Sequence, residues 1–150
     1  MSAVTHVRGL DHVGITVADL SRATDFFVGL GLEADGPPAM IEGDFLDTVI
    51  GIPGALAEVV TLRPPGGGAA VELSSFVRPD PGPGSPTAMA HELGLRNVCF
   101  EVDDLRATVD RLAADGYGLV GGVGDYEQTY RMAYVRGPEG VIVSLAERIG

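Results

Sequence analysis

The residues able to do chemistry are few and regularly placed. Glu72, Cys99, Glu101 and Ser144 each stand between two apolar neighbours, and His12 and Asn97 each lead into a run with apolar residues on alternate positions. Alternation of this kind puts the polar side chains on one face of a strand and the apolar ones on the other. An imidazole titrates near neutrality and carboxylates orient it or take protons, so His12, Glu72 and Glu101 are the candidates for acid–base catalysis. Each has a plainer alternative. His12 can be a hydrogen-bonded structural histidine, and Glu101 can pair with Arg96, Arg131 or Arg136. Cys99 suits a small core position. Tyr126, Tyr130, Met132 and Tyr134 read either as an aromatic wall for a ligand or as ordinary strand packing.

The elements that must position these residues come as a repeat. Adding 85 to the numbers of Leu10–Leu20 reaches Leu95–Leu105, with Leu, Val, Val, Asp and Leu recurring in register. Val13, Ile15 and Val17, and later Val98, Phe100 and Val102, alternate as strands. After Asp19 and Asp104 the period becomes helical, through Leu20, Ala23, Thr24 and Phe27 in one copy and Leu105, Val109 and Leu112 in the other. The two aspartates stand at N-cap positions, and Gly29 or Gly31, then Gly116, supply helix ends. Gly29-Leu30-Gly31 follows a helix rather than a strand and is no dinucleotide fingerprint.

Further on, a short strand spans Leu32 to Pro38. Ala39 to Gly54 fits an amphipathic flap or plain core packing. Ala57–Arg63 and Ala69–Phe76 form strands joined by a Pro-Pro-Gly-Gly-Gly turn. Val77–Gly94, rich in proline and glycine, reads as a linker. Strands near Tyr117–Val123, Tyr130–Arg136 and Val141–Ala146 complete the second copy. Its turn, Gly137-Pro138-Glu139-Gly140, matches the first Pro/Gly hairpin. Leu62-Arg63 answers Val135-Arg136, and Val71-Glu72-Leu73 answers Val143-Ser144-Leu145. The expectation is an α+β domain of two βαβββ modules, residues 8–76 and 95–147, with a linker over 77–94.

Composition narrows the function. A formal charge of −11 disfavours nucleic acid and anionic membranes, and either suits a cationic ligand or serves solubility. All ten basic residues are arginine, so lysine Schiff bases and a phosphate-binding P-loop are excluded. No apolar run approaches the roughly 20 residues of a membrane span, and Met1–Gly9 lacks a signal-peptide core. The single cysteine fits a reducing compartment, and a cytoplasmic protein is expected.

With these motifs in place, the chain resembles the vicinal oxygen chelate superfamily, which includes glyoxalase I, methylmalonyl-CoA epimerase, extradiol dioxygenases and bleomycin- and fosfomycin-resistance proteins. The carriers are Leu10-Asp11-His12-Val13-Gly14-Ile15, Val71-Glu72-Leu73, Val98–Leu105 and Gly137–Val143. The resemblance implies paired modules curved around a cleft, commonly with a divalent metal, and frequent homodimers. It carries the metal positions onto His12, Glu72, Asn97 and Ser144. The first module keeps both ligands and the second has lost both, which implies a degenerate site holding a divalent ion weakly. Glu147 lies on the opposite face of its strand unless a bulge intervenes, and His91 lies in the linker.

Two functions follow from the resemblance. One is a glyoxalase- or epimerase-like lyase or isomerase working on a small carbonyl-containing molecule. Its acid–base residues would be His12, Glu72 and Glu101, and its substrate contacts Asn97, Cys99, Ser144, Tyr126, Tyr130, Met132 and Tyr134. The other is a metal-free protein that sequesters a small molecule, as bleomycin-resistance proteins do.

Overall fold

The computed structural model describes residues 6–150. Residues 1–5, the start of the stretch expected to lack a signal peptide, lie outside the described residues. The chain divides into two compact units at Pro81/Gly82.

The first unit runs β1 (His12–Thr16), α1 (Leu20–Leu30), β2 (Glu33–Ala34), β3 (Ala39–Glu42), α2 (Asp44–Ile50), β4 (Leu56–Arg63) and β5 (Ala70–Arg78). Its sheet is ordered β1-β5-β4-β2, with β3 also on β4; β1 and β5 are parallel and the other pairs antiparallel. Helix α1 starts where the Asp19 carboxylate accepts from the Arg22 amide at 3.0 Å. It stops at Gly31, whose φ of +111° glycine adopts without a Cβ penalty. The helix buries Leu20, Ala23, Phe26 and Phe27. Phe26 thus takes the core place expected of Thr24, whose hydroxyl turns back to the Leu20 carbonyl at 2.7 Å. Beneath the helix lie Val60, Leu62, Val71 and Leu73, all nearly inaccessible.

The second unit runs β6 (Val98–Glu101), α3 (Leu105–Ala114), β7 (Gly124–Tyr126), β8 (Tyr130–Arg136), a 3₁₀ turn (Pro138–Gly140) and β9 (Ile142–Arg148). The sheet order is β6-β9-β8-β7, again with a parallel first pair. Asp104 caps α3 through the Ala107 amide at 3.0 Å, and Leu105 and Leu112 face the core with Val135, Val143 and Leu145.

Three expectations needed correction. Ala39–Gly54, expected as an amphipathic flap or plain core packing, is a short strand and a helix of seven residues bracketed by Gly43 and Gly51, and the helix buries none of its residues. The strand expected over Leu32–Pro38 is only Glu33–Ala34. The one expected over Tyr117–Val123 reduces to a single bridge, Leu119 opposite Val135, before β7. In addition, β5 continues to Arg78, into the stretch read as linker.

The repeat holds at the level of pairing. Ala39 opposite Val59 corresponds to Gly124 opposite Met132, displacements of 85 and 73 residues. The difference of 12 residues therefore falls between β3 and β4, where α2 sits, while the second unit turns through Glu127, Gln128 and Thr129.

Loop 82–97 is pinned to the end of its unit's sheet by Arg136. Its guanidinium donates to the carbonyls of Pro86 at 3.2 Å and Gly140 at 3.0 Å, and lies 3.3 Å from the Met89 sulfur.

Candidate functional site

In the first unit, alternation sends Val71 and Leu73 into the core and leaves Glu72 and Ser74 part-exposed on the opposite face. His12 opens β1, and the parallel register sets Gly14 beside Glu72. A Cβ at Gly14 would meet nothing within 4 Å, so the face beside the two groups is open there. His12 Nε2 comes 3.8 Å from Glu72 Oε2. On its other side, His12 Nδ1 lies 2.7 Å from Asp11 Oδ2. The imidazole is thus held between two carboxylates. Its pKa is raised above the ordinary 6.5, first by the hydrogen bond to Asp11 and then by the charge of Glu72. The same bond holds Asp11 below its usual 3.8.

Asp11 is the neighbour of His12 that sequence reasoning missed. Adjacent strand residues normally point to opposite faces, and no sequence signal said that this aspartate, just before β1, turns back along its neighbour's ring.

In the second unit the parallel β6–β9 register sets Cys99 beside Ser144 and Glu101 beside Ala146. Across β9, Tyr134 stands opposite Ser144, Met132 opposite Ala146 and Tyr130 opposite Arg148. Tyr126 lies opposite Tyr130 on the edge strand. These residues share one face of the sheet. Ser144 is only 1% exposed, and its hydroxyl donates to Asn97 Oδ1 at 2.8 Å. Asn97 Nδ2 in turn lies 3.5 Å from the Tyr134 hydroxyl oxygen. Cys99 is exposed rather than a core residue.

Glu101 is also exposed, and its ion-pair partner at 3.9 Å is Arg148, not the three arginines considered from sequence. Arg148 also stacks over the Tyr130 ring at 5.0 Å. Glu147 faces away, as strand parity requires with no bulge in the β8–β9 or β6–β9 register. Its Oε1 accepts from the Leu105 amide at 2.7 Å, at the start of α3. His91 is exposed in the loop before β6.

A search against family models matches the chain over residues 9–145 to the Glyoxalase/Bleomycin resistance protein/Dioxygenase superfamily. The chain belongs to this superfamily. Among solved structures it is similar over its whole length, and the whole of the other chain, to a glyoxalase family protein from Bacillus cereus, at 36% identity and a TM-score of 0.93. It shares the fold of TnmS3, an antibiotic binding protein from Streptomyces, at 19% identity and TM-score 0.60, covering 99% of both chains. It likewise shares the fold of the fosfomycin resistance protein FosX from Listeria monocytogenes, solved with Mn(II) and sulfate, at 14% identity and TM-score 0.60. There the coverage is 95% of this chain and 93% of that one. No curated protein sequence matches. Among the described residues, no helix is long and apolar enough to cross a membrane.

FosX was solved with Mn(II), and the donors this chain could offer such an ion are few. His12 and Glu72 supply a nitrogen and an oxygen from one unit. Asn97 and Ser144, at the other two positions the resemblance carries over, are bonded to each other, so the neutral amide oxygen already accepts one hydrogen bond and would be a weak donor to an ion. Among the described residues no group of three or more His, Cys, Asp or Glu is arranged to hold an ion. Hard divalent ions want six or more oxygen or nitrogen donors, several from protein. The residues present do not fit a tightly held resident metal.

Proposed function

We propose that this chain is a glyoxalase- or epimerase-like enzyme that moves a proton next to a carbonyl in a small oxygenated molecule. The observation that carries the reading is the imidazole of His12, held between Asp11 at 2.7 Å and Glu72 at 3.8 Å. In it, Glu72 removes a proton from the carbon beside the carbonyl, and the protonated His12 returns one to oxygen or carbon. Asp11 fixes the ring so that Nε2 faces the reacting side. The outcome is isomerisation, elimination or rearrangement according to the substrate. Glu101 enters this reading only as a charge on the second unit, since Arg148 shares it. The protein is proposed to act as a cytoplasmic homodimer, and sedimentation showing only monomer at micromolar concentration would refute the dimer.

The second reading is a binding protein that sequesters a small molecule. It is favoured by the Ser144–Asn97 pair, which offers a metal only neutral, weak donors, and by the tyrosine- and methionine-lined face beside it. One experiment separates the two. Small α-oxygenated carbonyl compounds are incubated with the protein in D₂O, and deuterium entering the α-carbon is followed by NMR. Exchange that falls about 10²–10⁴-fold in Glu72→Gln, with binding retained, supports the enzyme. Binding without exchange for every compound, with Glu72→Gln altering affinity alone, leaves the sequestration protein.

A further inference from the structure

The polar cluster on the second unit has a direction. Ser144 is buried, and its one hydroxyl hydrogen goes to the Asn97 carbonyl oxygen at 2.8 Å. That bond turns the Asn97 amide so that its NH₂ group, with two hydrogens, is the end presented outward. One of those hydrogens points toward the Tyr134 oxygen at 3.5 Å, which leaves the second. Tyr134 receives there rather than gives, so its own hydroxyl hydrogen has no acceptor among the described residues. Asn97 is exposed and Tyr134 half-buried, so both hydrogens are within reach of a ligand.

We propose that Asn97 and Tyr134 form a two-donor pocket for one negatively charged oxygen of a ligand, a carboxylate or enolate, with Ser144 as the positioning residue that sets its polarity. Two donor atoms 3.5 Å apart can both stand within about 2.7–3.1 Å of a single oxygen, the spacing that charge-stabilising donors need. The rest of the ligand lies along Met132 and Tyr130, two and four residues back on the same strand face. An aromatic or other flat apolar body fits that surface.

The charge of −11 would seem to call for a cation instead. Yet exposed charges more than about 8–10 Å away are largely screened at physiological salt. Glu101, the carboxylate on this face, stands four residues from Asn97, about 13 Å along the strand, and faces Arg148. Locally the pocket offers donors only. The proposal rests on the second unit alone and does not require turnover, so it can fail while the acid–base reading stands, and the reverse.

The test uses benzoate as the probe, with benzylamine as its cationic counterpart, followed by ¹⁵N-edited NMR of the intact chain. Benzoate is expected to shift the Asn97 side-chain NH₂ resonances, and benzylamine is not. Tyr134→Phe, which keeps the ring and removes the donor, should weaken benzoate about tenfold or more, as loss of a hydrogen bond to a charged group does. Ser144→Ala should weaken it several-fold although Ser144 is too buried to touch the probe, because the amide is then free to turn. Far-UV circular dichroism checks that each variant is folded. The proposal is overturned if benzoate fails to bind at tens of millimolar or benzylamine binds in preference. Affinity unchanged in both folded variants would overturn it equally.

Discussion

Asp11 and His12, neighbours in sequence, bond side chain to side chain, Oδ2 to Nδ1, at 2.7 Å. Because the bond raises the imidazole and lowers the carboxyl, it ties a pH dependence to the first strand. His12 should titrate above the 6.5 of a free imidazole when its ring protons are followed by NMR. Asp11→Asn should lower that value more than Glu72→Gln does, since the hydrogen bond is the larger cause. The folded imidazole holds its proton more tightly than the unfolded one. Its stabilisation is therefore complete below the unfolded pKa and fades as pH rises through the folded one. Asp11 works the other way: its contribution is present above 3.8 and is lost as pH falls through its depressed value. Equal titration in wild type and Asp11→Asn would refute the linkage.

Metal binding should be weak. Titration of metal-free protein with Mn(II) by calorimetry is expected to give micromolar or poorer affinity, and His12→Ala should abolish what binding exists. A stoichiometric ion that survives dialysis against chelator would contradict the donor count.

Glu147 should matter for stability rather than chemistry. Its carboxylate accepts from the Leu105 amide and lies 3.9 Å from Arg131, so Glu147→Ala should cost about 1–3 kcal/mol in chemical denaturation. Asp104→Ala, which removes the N-cap of the same helix, should cost about 0.5–2 kcal/mol. A neutral result for both would mean that α3 is held by its apolar face alone.

Leu73 and Leu145 occupy matching places in the two units, and each is fully buried. Replacing either by alanine should cost about 2–5 kcal/mol. A large loss at one and none at the other would show that the two cores are not energetic equivalents.

Gly140→Ala should be worse than its exposure suggests. The residue has a φ of +87°, and a Cβ there would overlap the Pro86 carbonyl. The expected result is a lower melting temperature together with faster proteolysis within residues 82–89. Unchanged protection of that segment would mean the Arg136 contacts hold it unaided.

The repeat was legible because both of its periods survive in sequence: Val13-x-Ile15 and Val98-x-Phe100 alternate, and Asp19 and Asp104 each announce a helix. Strand parity likewise put Glu72 opposite Val71 and Leu73, and Glu147 opposite Ser144, on the faces where they lie. Side-chain partners were less accessible. Arg148 takes Glu101 because β6 and β9 run parallel in a register that no residue type encodes. Ser144 is buried and spends its hydroxyl hydrogen on Asn97, 47 residues away, a pairing that no local pattern announces. Helix α2 was hidden because seven mixed residues between glycines, Asp44 and Asp47 among Phe45, Leu46, Val49 and Ile50, are too few to separate a turn of helix from a flap by period.

The 12 extra residues between β3 and β4 leave every strand pair on either side of them in step with the other unit. Loop length enters folding free energy only logarithmically, so growth at such a point is nearly free. It also leaves Phe45, at 78% exposure, and Val49, at 65%, as apolar side chains on a segment that no strand needs. This hairpin is therefore where the duplicated halves can diverge, or where a foreign peptide can be spliced, without disturbing the residues on the sheet.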